Sequence, residues 1–92
     1  MGRSFMDNDQ QVNEKQKAFF DRARKGVLKF VQDSGGQVEM NKMHDYSLNK
    51  FLIQHQAFSK MMETLVDEGL VDFDPVTFVV TITDTGKNFI AE

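Results

Sequence analysis

The sequence predicts one small α+β domain, helical up to about Gly69 and completed by a β-hairpin and a short last helix. Three observations carry that reading. Apolar residues recur at three- and four-residue steps from Phe19 to Leu65, the spacing that gives a helix one buried face. After Gly69 the period drops to 2, as in a half-buried strand. Ser34-Gly35-Gly36, Gly69 and Asp74-Pro75 stand where the pattern changes, and glycine and proline punctuate a chain at such places.

Residues 1–12 (MGRSFMDNDQQV) carry little apolar periodicity and read as a flexible N-terminal tail, which leaves 13–92 as the domain. Asn13 is the expected cap of a first helix over 14–33, whose inner face carries Phe19/Phe20, Ala23, Val27, Phe30 and Val31. Ser34-Gly35-Gly36 stops it, because glycine takes the left-handed conformation that ends helices. Gln37-Val38-Glu39 is a short extended link, and Met40, Met43 and Tyr46 mark a second helix over 40–47. Phe51, Leu52 and Ile53 would point in three directions about 100° apart on a continuous helix. A buried turn over 48–53 resolves that conflict, with a third helix at 54–68 carrying Phe58, Met61/Met62 and Leu65/Val66 inward. Val71 and Phe73 form one strand, Asp74-Pro75-Val76-Thr77 a turn, and Phe78, Val80 and Ile82 the inward residues of the returning strand. Thr83 caps a last helix from Asp84 to about Ala91, with Phe89 and Ile90 inward.

Composition narrows the function. The chain has 92 residues, 40% of them apolar and nine of them Phe, enough for one small core and too few for a spacious enzyme cleft. Its apolar runs are too short to span a membrane, and a polar start predicts no secretory leader. There is no cysteine, which excludes disulfides, thiolate metal sites and cysteine nucleophiles and fits a cytoplasmic protein. A net charge of −3 gives no overall pull towards nucleic acid, but the charge is unevenly spread. Residues 1–46 hold eight Lys/Arg against seven Asp/Glu, and residues 47–92 hold three against seven. Within that acidic half, Tyr46 to Met62 has no carboxylate and keeps Lys50, His55 and Lys60. On the first helix Lys15, Arg22, Lys25 and Lys29 share one arc, read either as a phosphate-binding stripe or, more simply, as a solvated face.

Catalytic and metal chemistry find little support. His44 and His55 are the two histidines and do not stand at i, i+4 spacing. Nothing in register would activate Ser59 as a nucleophile, and Gly35-Gly36 lacks the Lys and Ser/Thr of a phosphate loop. The six Met read as filler in an irregular core. The expectation is a protein without enzymatic activity and without cofactor or metal.

Two segments carry a family likeness. Leu65-Val66-Asp67-Glu68-Gly69-Leu70-Val71 is similar to the L-x-x-x-G-L-V that ends a recognition helix and enters a wing. Ile82-Thr83-Asp84-Thr85-Gly86-Lys87-Asn88-Phe89-Ile90 is similar to the L-T-x-x-G-x-x-x-[LI] that follows the wing in MarR-type and ArsR-type-like transcriptional regulators. With the two helices and tight turn before them, residues 36–91 resemble a winged helix-turn-helix: a three-helix core, a short hairpin wing and a C-terminal helix.

The resemblance implies sequence-specific binding of double-stranded DNA, with 54–68 as the recognition helix. It places Gln54, Gln56, Ala57, Ser59 and Lys60 on or beside the helix face that would enter the major groove. There glutamine can pair with adenine, lysine can meet guanine or phosphate, and alanine can meet a thymine methyl. Lys50 in the turn and Lys42 on the second helix would hold the DNA backbone. One feature departs from the pattern: Leu70 to Thr83 has no basic residue and carries Asp72 and Asp74. A wing so composed cannot clamp a minor groove, which keeps open a protein–protein role through the wing or the first helix. On the DNA reading one module makes few phosphate contacts, so a homodimer on a palindromic site is expected. The surplus apolar residues Phe5, Val12, Phe89 and Ile90 point to an interface formed by the N-terminal segment, the first helix and the last helix.

Overall fold

The computed structural model describes the backbone of residues 2–91 and the side chains of residues 17–91. In chain order the elements are α1 (Gly2–Asp33), β1 (Gln37–Glu39), α2 (Met40–Phe51), α3 (His55–Asp67), β2 (Val71–Phe73), β3 (Val79–Ile82) and α4 (Asp84–Ala91). This is the expected α+β order of elements, with boundaries that differ in three places. Among the described residues no helix is long and apolar enough to cross a membrane.

The first difference is in α1, which begins at Gly2 rather than at residue 14, so Asn13 lies inside the helix and not at its cap. No glycine or proline stands between Gly2 and Gly26. The Asp, Asn and Gln residues of that stretch each lower helix propensity by only tenths of a kcal/mol, too little to stop a helix already nucleated. The side chains of the expected tail, 1–12, lie outside the described residues. At its other end α1 closes as Ser34-Gly35-Gly36 predicts. Gly35 and Gly36 take φ of 98° and 94°; their N–H groups donate to the Gln32 and Val31 carbonyls at 3.2 and 3.0 Å. That pairing satisfies carbonyls the helix end would leave bare.

The second difference is the turn. α2 runs on to Phe51, and only Leu52 to Gln54 lie outside helix. The conflict among Phe51, Leu52 and Ile53 is real, but it is resolved one turn later than expected. The Phe51 ring lies against the backbone of Gly26, where a Cβ would strike it, and meets Tyr46 edge-on at 6.1 Å. Leu52 then takes a left-handed φ of 58°, and its N–H donates to Leu48 O at 2.9 Å. The side chain of Leu52 is turned to solvent, 81% exposed, while Ile53 drops into the core.

The three strands form one antiparallel sheet in the order β1-β3-β2. Val38 pairs with Val80, and Phe73 pairs with Val80 from the other side. Val80 and Ile82 face the helices, together with Val71 and Val38. The core they close is filled by Val27, Leu28 and Val31 of α1, Met43 of α2, and Phe58, Met61 and Leu65 of α3.

The third difference is Phe78, expected as an inward strand residue. It lies instead in the Asp74–Phe78 connection with φ of 60° and is 58% exposed. Its N–H donates to Asp74 O at 2.8 Å, and its carbonyl accepts from Met40 N at 2.8 Å. The left-handed residue reverses the chain one position before the ladder begins at Val79.

The two segments that suggested a family turn out to be one physical device. Gly69 ends α3 at φ of 72°, and Leu70 N donates back to Leu65 O at 2.9 Å. The Thr83 hydroxyl donates to Gly69 O at 2.6 Å and accepts from Gly86 N at 3.0 Å, capping α4 as expected. Gly86 lies so close to the Leu70 carbonyl that a Cβ would collide with it. The helix end, the strand entry and the last helix are thus clasped through four residues.

Candidate nucleic-acid interface

α3 presents its inner face through Phe58, Met61, Met62 and Leu65, all buried. At about 100° per residue the opposite arc holds Gln56, Lys60, Glu63 and Asp67, and all four are exposed. Ala57 and Ser59 flank that arc and are exposed as well. Gln54 is the N-cap residue of α3, in extended conformation and without a side-chain cap bond. Lys50 is exposed in the last turn of α2, just ahead of the tight turn. Gln54, Gln56, Ala57, Ser59 and Lys60 therefore lie on α3 or at its cap, whereas Lys50, expected in the turn, stands on the end of α2 because that helix runs on to Phe51. Lys42 does not join them: it borders a separate cleft with Phe30, Ser34, Gln37 and Val79, near the end of α1.

The charge on α3 is graded along its length. Its first half carries Gln54, Gln56 and Lys60, and its second half Glu63, Asp67 and Glu68. Glu68 is paired with Arg24 at 2.6 Å. Glu63 and Asp67 have no ion-pair partner among the described residues.

The wing is acidic and apolar. Asp72 and Asp74 are exposed, and Val76 at its tip is 84% exposed. Asp74 accepts from the Val76 and Thr77 backbone N–H groups at 2.8 and 3.4 Å, which holds its carboxyl below the usual carboxylate range. Its charge is committed to the turn. On α1, Arg22, Lys25 and Lys29 are exposed as expected; Lys15 lies outside the described side chains. Phe89 and Ile90 are partly buried against the core, with the Arg24 and Lys25 head groups each 5.3 Å from the Phe89 ring centre. Phe5 and Val12 lie outside the described side chains.

Two features went unread in the sequence. Arg24 is 7% exposed inside the α1 face; its charge made it look like a surface residue, and its register with Ala23 and Val27 was the available signal. The second is a groove of about 450 Å³ between α2, α3 and β2, walled by Met40, Phe58, Met62, Val66 and Phe73. Met62 belongs to the core and Met40 packs against it, as expected of core filler, and both also line this groove. The signal was the width of the apolar face of α3, which at Val66 exceeds what the core covers: Val66 stays 43% exposed. His44 and His55 also border the groove. Their rings meet edge-on at 5.6 Å.

No protein-family model matches the chain, and a search of curated proteins finds no match. Among solved structures, the chain is similar to the near-atomic-resolution crystal structure of a MarR family transcriptional regulator from Streptomyces coelicolor, with a TM-score of 0.62 and 21% sequence identity. The match covers 97% of this chain, which spans 66% of the regulator's length. Sequence motifs, element order and this likeness agree on the fold: a winged helix-turn-helix.

Proposed function

We propose that the chain is a sequence-specific double-stranded DNA-binding protein, a transcriptional regulator of the cytoplasm that acts as a homodimer. The observation that carries the reading is the exposed, carboxylate-free first half of α3. Gln56 and Lys60 stand one turn apart on its outward arc, with Gln54, Ala57 and Ser59 beside them and Lys50 just before. A helix enters the major groove by its N-terminal residues, and this end offers donors and acceptors for base edges and a cation for phosphate. The acids Glu63 and Asp67 lie at the far end, away from that contact. Lys42 then serves the backbone only if the duplex reaches the cleft beside α1.

A second reading has its own support. The wing lacks any basic residue and exposes Val76 and Phe78, a surface that suits a protein partner better than a phosphate backbone. On that reading the domain is an interaction module without DNA readout.

Two substitutions separate the readings. Gln56→Ala should weaken binding to a selected duplex by about 1–3 kcal/mol and hardly change binding to random duplex. Lys60→Ala should weaken both alike and reduce the salt slope by about one counterion. Both side chains are exposed, so folding should not change. If both variants bind every duplex as the wild type does, the interaction-module reading takes over.

A further inference from the structure

We propose that the groove between α2, α3 and β2 is a binding site for a small organic cation with an apolar, ring-bearing body. The walls are Met40, Phe58, Met62, Val66 and Phe73, and about 450 Å³ of space lies between them. Small-molecule clefts fall at about 300–1,000 Å³, so the space suits a compact body such as two fused rings. Methionine thioethers adapt to irregular apolar shapes, and phenylalanine faces attract cations.

The charge of the ligand follows from the rim. Glu63 and Asp67 border the groove from α3; among the described residues no Lys or Arg borders it, and neither carboxylate has an ion-pair partner. Two free carboxylates over an apolar floor select a positive charge and reject an anion. The other residues at the groove are Asn41 and Ser59, which carry no charge, with His44 and His55 at one end.

The site bears on function through α3. Ser59 lines the groove and also flanks the outward arc of α3, beside Gln56 and Lys60. A ligand seated there alters the surface that a duplex would meet, so it would compete with DNA. This last consequence rests on the DNA-binding reading, whereas the binding itself does not.

The test uses the full chain without DNA and three probes that share one ring system: 2-naphthylmethylammonium, 2-naphthylmethanol and 2-naphthoate. Amide chemical shifts and calorimetry report binding. The expected order is cation, then alcohol, then carboxylate, with the cation favoured over the alcohol at least about fivefold and the shifts centred on Phe58, Met62 and Val66. In the double variant Glu63→Gln/Asp67→Asn, both sites exposed, cation and alcohol should bind equally. The proposal is overturned if the cation gives no saturable shifts up to about 10 mM. It is equally overturned if alcohol or carboxylate binds as tightly, or if the preference survives the double variant. Because no DNA is present, failure of the DNA reading leaves this result standing. Should duplex binding prove real, the cation ought to displace the duplex; co-binding without displacement overturns the claimed competition.

Discussion

Arg24 shows how one residue ties the molecule together. Its guanidinium lies inside the packed face of α1, donates to Asp21 at 3.3 Å and Glu68 at 2.6 Å, and sits over the Phe89 ring. It therefore links α1, the end of α3 and α4. Its Nε is buried without a partner among the described residues, and the Glu68 side chain is half exposed, so much of the ionic gain is offset by desolvation. The stem, not the charge, should dominate. Arg24→Met, which keeps most of that volume, should change stability by less than about 1 kcal/mol. Arg24→Ala, which opens space between three elements, should cost about 2–3 kcal/mol. Urea denaturation midpoints decide, and equal losses in both variants would mean that the ion pair carries the stability.

Among the elements, the clasp between Gly69-Leu70 and Thr83-Gly86 fixes where the wing leaves α3. Gly86→Ala forces a Cβ against the Leu70 carbonyl and the Ile82 side chain, and backbone cannot yield as a flexible side chain does. The expected loss is about 1–3 kcal/mol. Thr83→Ala removes the α4 cap and the bond to Gly69 O, worth about 1–2 kcal/mol, whereas Thr83→Ser keeps the hydroxyl and should lose less. Wild-type unfolding midpoints in the first two variants would contradict this account. The same residues explain what was legible in the sequence. Gly69 ends α3 and Thr83 caps α4 through local backbone geometry, so both were legible in the sequence, whereas Gly86 is held by its approach to the Leu70 carbonyl across the hairpin and was marked only by the family likeness. Phe51, Leu52 and Ile53 were harder, because the break depends on Phe51 resting on Gly26, 25 residues away in sequence. Phe78 was misplaced for a related reason: the alternation favoured a strand, but the turn closed by the Asp74 side chain needed one more residue. Of the candidate interface, the exposure of Gln56 and Lys60 was readable from period alone. The position of Lys42 and the groove beside Val66 depend on tertiary packing, which no period encodes.

For the whole molecule, α1 sets the shape. Its 32 residues span about 48 Å at roughly 1.5 Å per residue, close to the 51 Å long axis of the molecule. Among the described side chains, those of α1 that pack on the core begin at Phe20, and the helix backbone itself starts at Gly2. On the homodimer reading, light scattering should give twice the 10.6 kDa chain mass, about 21 kDa, at micromolar concentration. A monomer at tens of micromolar that stays one copy per duplex would contradict the dimer. The central claim is that the first half of α3 meets DNA, and its most direct measurement is fluorescence anisotropy of a labelled duplex across a salt series. The account predicts saturable binding at about 50 mM salt, with log K falling linearly against log salt at a slope of several counterions for a dimer. No binding at that salt with tens of micromolar protein, or binding without salt dependence, would contradict it.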